Sequence, residues 1–255
     1  FPYTTLFRSR MDSIMEQFRN RFGISGSTLK IIAIISMAID HFAASFLYRG
    51  IMTLPSVAAN ADLMHVLRKL YSVMRAVGRP AFPIFCFLLV EGFCHTRNPK
   101  KYAQRLFLFA LISEIPFDYG LRGGFFVSHH QNVFFTLFIG LMVMILYTKF
   151  WQKPLLQYVI LALGLLAGKY FYVDYGFKGV FLIEVLFLFR NERLMQIVAG
   201  TLAISWEPPA VVAFLPISLY NGKRGLSLRY FFYAFYPVHL MVFGILTFYI
   251  LPMIA

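Results

Sequence analysis

Four ionisable side chains sit where an apolar chain should not hold them. Asp40 and His41 interrupt KIIAIISMAIDHFAASFLY, Glu91 interrupts AFPIFCFLLVEGF, and His239 interrupts FFYAFYPVHLMVFGILTFYIL. Placing such a group at membrane depth costs about 2.5–3.5 kcal/mol even on the lenient insertion scale. Residues kept there against that cost face a bundle interior or a wet cavity and do chemistry or transport. A confined imidazole suits general-base work, and a neighbouring carboxylate can orient its ring. His41, Asp40 and Glu91 are therefore the candidate catalytic residues.

Spacing adds substrate-binding candidates around them. Lys30 and His41 are eleven residues apart, close to three helical turns, so both share one face about 16 Å apart along the axis. A cation at a membrane entrance suits a phosphate-bearing donor, although Lys30 could equally anchor the helix at the headgroups by snorkelling. Glu91 and His95 share a face one turn apart, as do Glu114 and Asp118 around Pro116. Arg79 opens one apolar run and Arg105 lies just inside the next, where both could line a polar cavity or simply reach the surface. Asp40, turned about 100° from His41, could pair with an arginine instead of orienting a ring. His239 follows Pro237, which frees a backbone carbonyl inside its helix. Asn132 and Thr136 read as inter-helix polar contacts. His129 and His130 have no third ligand at useful spacing, so no metal is expected. No Walker, GxGxxG or GxSxG motif is present.

The elements that must position these residues are membrane helices. Of 255 residues, 59% are hydrophobic and only 14% charged, with mean hydropathy +0.68, against roughly 25% charged in a soluble domain. The net charge of +13 does not indicate nucleic-acid binding, because the basic residues fall in short breaks between apolar runs, where topology places them. Cys86 and Cys94 lie eight apart on one helix, about 12 Å, too far to pair.

The expected fold is an all-α transmembrane bundle of about nine spans, within a range of eight to ten: 28–48, 80–96, 102–117 (ending near Pro116), 131–148, 154–172, 176–190, 194–206, 208–221 and 230–253. The seventh and eighth are short enough to be tilted or re-entrant. Between the first two, ADLMHVLRKLYSVMRAVG spaces its apolar residues at three and four, an amphipathic helix lying at the interface or folded back over the bundle. With the amino terminus in the cytoplasm, Arg97, Lys100, Lys101, Lys149, Lys153, Arg190, Arg193, Lys223, Arg224 and Arg229 all fall inside. Residues 1–10 contain FPYTTLFRS, whose reverse translation matches a common sequencing adapter, so they are set aside and Met11 is taken as the natural start. Residues 11–27 form a cytoplasmic tail, and 28–255 one transmembrane domain.

Taken together, LKIIAIISMAIDH, GRPAFPIFCFLLVEGFCHTRNPKKY, RLFLFALISEIPFDYG, QNVFFTLFIGL and YFFYAFYPVHL resemble the TraX family of integral membrane proteins, over about residues 28–245. That family is named for a conjugation-associated protein implicated in acetylating the amino terminus of pilin. The chain is also similar in plan to multi-span acyltransferases whose first span carries a basic residue, ten positions, then histidine; here this is Lys30 and His41. The resemblance implies a membrane acyltransferase of the bacterial plasma membrane, with acetyl-CoA or another acyl-CoA as donor and no metal. His41 would be the base, and Lys30, Arg79, Arg105, Glu114, Asp118 and His239 would line the site. The acceptor would be an envelope glycan, lipid or protein; the pilin substrate itself is not carried over. Two other readings stay open. Asp40, Glu91 and His239 could form the proton relay of a proton-coupled transporter or exporter, or the buried charges could merely pair helices in a scaffold.

Overall fold

The computed structural model describes residues 17, 19, 21–127, 129–227 and 229–254; the adapter-like segment lies outside them. Among the described residues the chain is helical, with two isolated bridges, Ile24 to Tyr220 and Gln131 to Val173. Nine helices carry the fold: α1 (Gly26–Phe42), α2 (Ala61–Gly78), α3 (Ala81–His95), α4 (Pro99–Arg122), α5 (Val133–Lys149), α6 (Pro154–Tyr170), α7 (Gly176–Leu188), α8 (Arg193–Ala203) and α9 (Arg229–Ile245). α1 and α9 are each prolonged by a wider, π-type stretch, Ala43–Gly50 and Leu246–Ile250. Among the described residues three stretches are long and apolar enough to cross a membrane: Gly26–Thr53, Ala61–His95 and Phe231–Ile254. With the shorter apolar helices they make a membrane helix bundle.

Local sequence explains the helix starts. Ser25, Asn60, Asn98 and Asn132 each cap a helix by accepting a hydrogen bond from a backbone N–H of the first turn. Pro99 and Pro154 occupy first-turn positions, where the missing N–H costs nothing. Pro116 does not end its helix, contrary to the sequence reading. α4 runs on to Arg122 and stops at Gly123, whose φ of 76° only glycine adopts freely. The seventh and eighth expected spans are a helical hairpin. α8 has 11 residues, about 16 Å of rise, and its return is a 3₁₀ stretch (Pro208–Ala213) followed by one helical turn (Phe214–Ser218). Neither leg has the length for a perpendicular crossing of a ~30 Å hydrocarbon core.

α3 sits at the centre. It is apolar all round, and Ala81, Phe82, Ile84, Cys86, Phe87, Leu89 and Val90 are buried. α1, α5 and α7 pack against it, and Leu182, Ile183, Leu186 and Phe187 of α7 extend the same core. Outward-facing Leu155, Tyr158, Leu163 and Leu166 of α6 are exposed, as lipid-facing side chains are. The amphipathic segment is α2, and it packs along α1 rather than lying apart from the bundle. Its Leu63, Val66, Leu70, Val73 and Val77 face outward.

The most extensive seam joins α4 to α9. It closes on two glycines: a Cβ on Gly120 would lie 2.5 Å from the Leu240 carbonyl oxygen, and one on Gly244 would lie 2.6 Å from the Tyr119 ring. Gly120→Ala therefore forces backbone apart and is expected to lower stability by about 1–3 kcal/mol. Gly124→Ala, where the added Cβ meets only Val127 at 3.9 Å, should stay within about 0.5 kcal/mol. Thermal unfolding of both variants in lipid discs checks this, and equal midpoints would refute the role of the seam.

Candidate functional site

Two polar regions occupy opposite ends of the bundle, with His41 between them. The first opens at the end where α1 begins. Backbone bonds from Gly26 to Lys223 and from Ser27 to Arg224 tie this end together. The basic turns after α3, α5 and α7 gather there too, as the Phe93–Phe187 and Tyr147–Phe187 ring contacts require. A cavity of about 520 Å³ enters from this end and is lined by Lys30, Glu91, His95, Arg105, Arg224 and Tyr233. At its inner limit lie Met37, Phe134 and Tyr236. Met37 is one helical turn before His41, and the Tyr236 ring meets the His41 ring edge-on with centroids 5.9 Å apart.

Four sequence candidates thus meet at one cavity: Lys30, Glu91 and Arg105 line it, and His41 stands just behind its floor. Lys30 lies over the Phe232 ring at 5.2 Å. Arg105 lies over Tyr102 at 6.0 Å, and its Nε is buried with no hydrogen-bond partner among the described residues. A buried guanidinium donor left open in a cavity wall is costly unless a ligand takes it. Glu91 faces Arg193 at 3.8 Å near the mouth. It stands apart from His41 and does not orient it.

His41 instead pairs with His239. Its Nδ1 is 2.7 Å from His239 Nε2, and the two rings lie edge to edge, nearly coplanar at 9° with centroids 5.0 Å apart. His239 Nδ1 in turn lies 2.6 Å from the Phe235 carbonyl, one turn back on α9. This is not the Tyr233 carbonyl that Pro237 frees. Phe235 and Phe243 rings enclose His239, so it is a buried partner of His41 rather than a lining residue of the cavity.

The second polar region lies at the far end. Asp40 forms an ion pair with Arg75 of α2, Nη1 to Oδ2 at 2.6 Å, while its Oδ1 is buried and unpartnered. Gly78 makes room for that carboxylate, since a Cβ there would fall 2.2 Å from Asp40 Cβ. Ser36 Oγ donates to the Val77 and Gly78 carbonyls and fixes the end of α2 beside it. Arg79 faces Glu207 at 3.4 Å and bonds Tyr175; Tyr175 stacks on Phe82 at 3.7 Å. Tyr172 and Tyr175 both have positive φ, 50° and 64°, so the turn preceding α7 is held in a conformation that side chains disfavour. Thr136 Oγ1 donates to the Asp174 carbonyl and helps hold that turn.

Glu114 and Asp118 are both tied to the protein's own groups. Asn132 donates to Glu114 from its side chain and its backbone N–H. Asp118, 1% exposed, takes Arg122 at 3.2 Å and the Val127 N–H at 2.7 Å. His130 lies 3.6 Å from Asp174, and among the described residues no three of His, Cys, Asp and Glu converge as a metal requires. Sequence reasoning passed over Arg75, Arg193 and Tyr236 as site components. It also passed over Glu184, a buried acid whose Oε1 is unpartnered against the Gly164 notch. A lone acid within FLIEVLFLF was the available signal.

Residues 25–247 match the family model described as TraX protein. The chain is 33% identical over 249 residues to "Probable fimbrial assembly protein FimC, serogroup H1" of Dichelobacter nodosus, covering 85% of this chain and 93% of that protein. No solved structure matches significantly.

Burial raises the Asp174 carboxyl from 3.8 to about 6, against the lowering effect of the Tyr175 N–H. An acid whose folded pKa is raised stabilises most below its unfolded pKa, and that contribution is lost as pH rises through the folded one. Wild type should therefore lose stability relative to Asp174→Asn as pH climbs from about 4 to about 6, with a constant gap above. Unfolding midpoints of the two proteins across that window decide it; parallel curves would remove Asp174 as the titrating group.

Proposed function

Because the chain belongs to the TraX family, we propose that it is a membrane acyltransferase that takes an acyl group, acetyl first, from an acyl-CoA and passes it to an amine or hydroxyl of an envelope acceptor. The observation that carries this reading is the cavity that runs from Lys30, Arg105 and Arg224 inward to the wall backed by His41. Basic groups at the mouth suit the donor's phosphates, and the open Arg105 Nε suits a polar group of the pantetheine arm. A volume of about 520 Å³ lies within the ~300–1,000 Å³ range of small-molecule sites.

The chemistry asked of the residues is modest. The acceptor's N–H or O–H attacks the thioester carbonyl, a bond forms from N or O to carbon, and the C–S bond breaks. His41 takes the acceptor's proton, which then neutralises the departing thiolate. The acceptor approaches from the Asp40 end, and the protein acts as a relay across the plasma membrane, with the Lys30 end and the amino terminus in the cytoplasm. A bundle of about nine spans belongs to this proposal as well, with the seventh and eighth, α8 and its return, tilted or re-entrant. The relative from Dichelobacter nodosus is named for fimbrial assembly, which favours a fimbrial subunit as acceptor over a glycan or a lipid and reverses the expectation that set pilin aside.

A proton-relay transporter draws less support. Asp40 is held by Arg75, Glu91 by Arg193, and His239 by His41 and Phe235, so the three residues named for a relay are not linked to one another.

Purified protein in lipid discs, given radiolabelled acetyl-CoA and an envelope extract, tests the proposal. His41→Ala should lose about 10²- to 10⁴-fold in transfer while still inserting and folding. Arg105→Ala should raise the apparent KM for acetyl-CoA by about 10- to 100-fold, the worth of a hydrogen bond to a charged group. Failure of the wild type to bind or turn over any acyl-CoA would sink the acyltransferase reading.

A further inference from the structure

We infer that His239 is a positioning residue that sets the tautomer of His41, presenting the His41 Nε2 lone pair as the base. This rests on the acyltransferase reading for its catalytic meaning, but the tautomer itself follows from hydrogen-bond direction alone.

The argument starts at the Phe235 carbonyl, which can only accept. His239 Nδ1 lies 2.6 Å away, so it carries the hydrogen and donates. An uncharged imidazole has one N–H and one lone pair, so His239 Nε2 must then accept. Its partner at 2.7 Å is His41 Nδ1, which must therefore be the donor. The remaining ring nitrogen of His41, Nε2, is left with the lone pair. The direction of both bonds is thus fixed by a backbone oxygen that has no hydrogen to give.

Packing keeps the chain of bonds in register. The His41 and His239 rings lie nearly coplanar, Phe235 stacks on His239 with centroids 4.8 Å apart, and Tyr236 closes edge-on against both histidines. Neither ring is free to flip and exchange its nitrogens. When His41 takes a proton from the acceptor, its Nδ1–H becomes a charged donor to His239 Nε2, and the bond strengthens. A histidine here does the work that a carboxylate does beside the base of a hydrolytic triad, holding the tautomer and supporting the imidazolium. Unlike a carboxylate, it adds no buried charge of its own to an apolar bundle.

Two variants and one spectrum test the assignment. His239→Phe keeps a ring but removes the acceptor, so transfer should fall about 10²- to 10⁴-fold. His239→Gln can offer an amide oxygen to His41 Nδ1–H and should stay within about 10-fold of wild type, the scale of one neutral hydrogen bond. A merely structural role predicts similar losses in both, and transfer by His239→Phe at wild-type level would overturn the inference outright. Nitrogen-15 NMR of histidine-labelled wild type in lipid discs should show the His41 hydrogen on Nδ1 and a bare Nε2; a hydrogen on Nε2 overturns the assignment even if both variants are inactive or fail to fold. The spectrum needs no turnover, so an inactive wild type with the expected tautomer would remove the acyltransferase reading and leave the positioning intact.

Discussion

Inside an apolar bundle a polar atom cannot fall back on water, so it must find its partner in the protein. That constraint places the helices here. Ser36 of α1 holds the last carbonyls of α2, Asn132 at the head of α5 holds Ala110 and Glu114 of α4, and Gln196 of α8 holds the Leu186 carbonyl of α7. Ser45 and Thr247 join the extensions of α1 and α9 deep in the interior, one turn beyond His41 and about two beyond His239. Each bond fixes a relative height between two helices that smooth apolar packing alone would leave free to slide. The histidine pair is another instance of the same rule: α1 and α9 are locked at the height where His41 meets His239.

The apolar runs, with their asparagine, serine and proline start signals, made the helices legible in the sequence. Boundaries failed where a local signal was overruled. Pro116 reads as a stop, but α4 continues through it because the seam with α9 stabilises the turns on either side. Lys30 and His41 were readable as sharing one helix face, because helical periodicity operates within a single segment; that Glu91 and Arg105, on two other helices, would line the same cavity as Lys30 was not. The pairings were not readable. Asp40 finds Arg75 across 35 residues and His41 finds His239 across 198, and nothing in either local sequence says which of several arginines or histidines will stand opposite. Asp118 was readable only as lying one turn after Glu114; its inward path to Arg122 and the Val127 N–H was not, because Val127 lies beyond the end of the helix.

The two polar regions have different characters. The Lys30 end is a cavity with an open basic donor in its wall, arranged to receive something. The Asp40 end is tightly cross-paired: Asp40 with Arg75, Glu207 with Arg79, Arg79 with Tyr175. Its turn is held in a disfavoured backbone conformation by those contacts. Preorganisation of this kind holds side chains still without a ligand, and among the described residues it leaves Asp40 Oδ1 and Trp206 Nε1 as buried atoms with no hydrogen-bond partner.

The shortness of the central helix has an electrical consequence. α3 spans 15 residues, about 22 Å, against a hydrocarbon core of about 30 Å, and α1, on the longer stretch Gly26–Thr53, packs against it. With polar groups reaching in from both ends, the insulating layer at the centre of the protein is thinner than the bilayer around it. A voltage across a bilayer drops over insulation, so polar groups that enter from both ends shorten the path over which it drops. A charge crossing the whole membrane exchanges about 2.3 kcal/mol per 100 mV. A charge displaced between the two polar regions therefore senses any voltage across the bilayer, whatever group carries it.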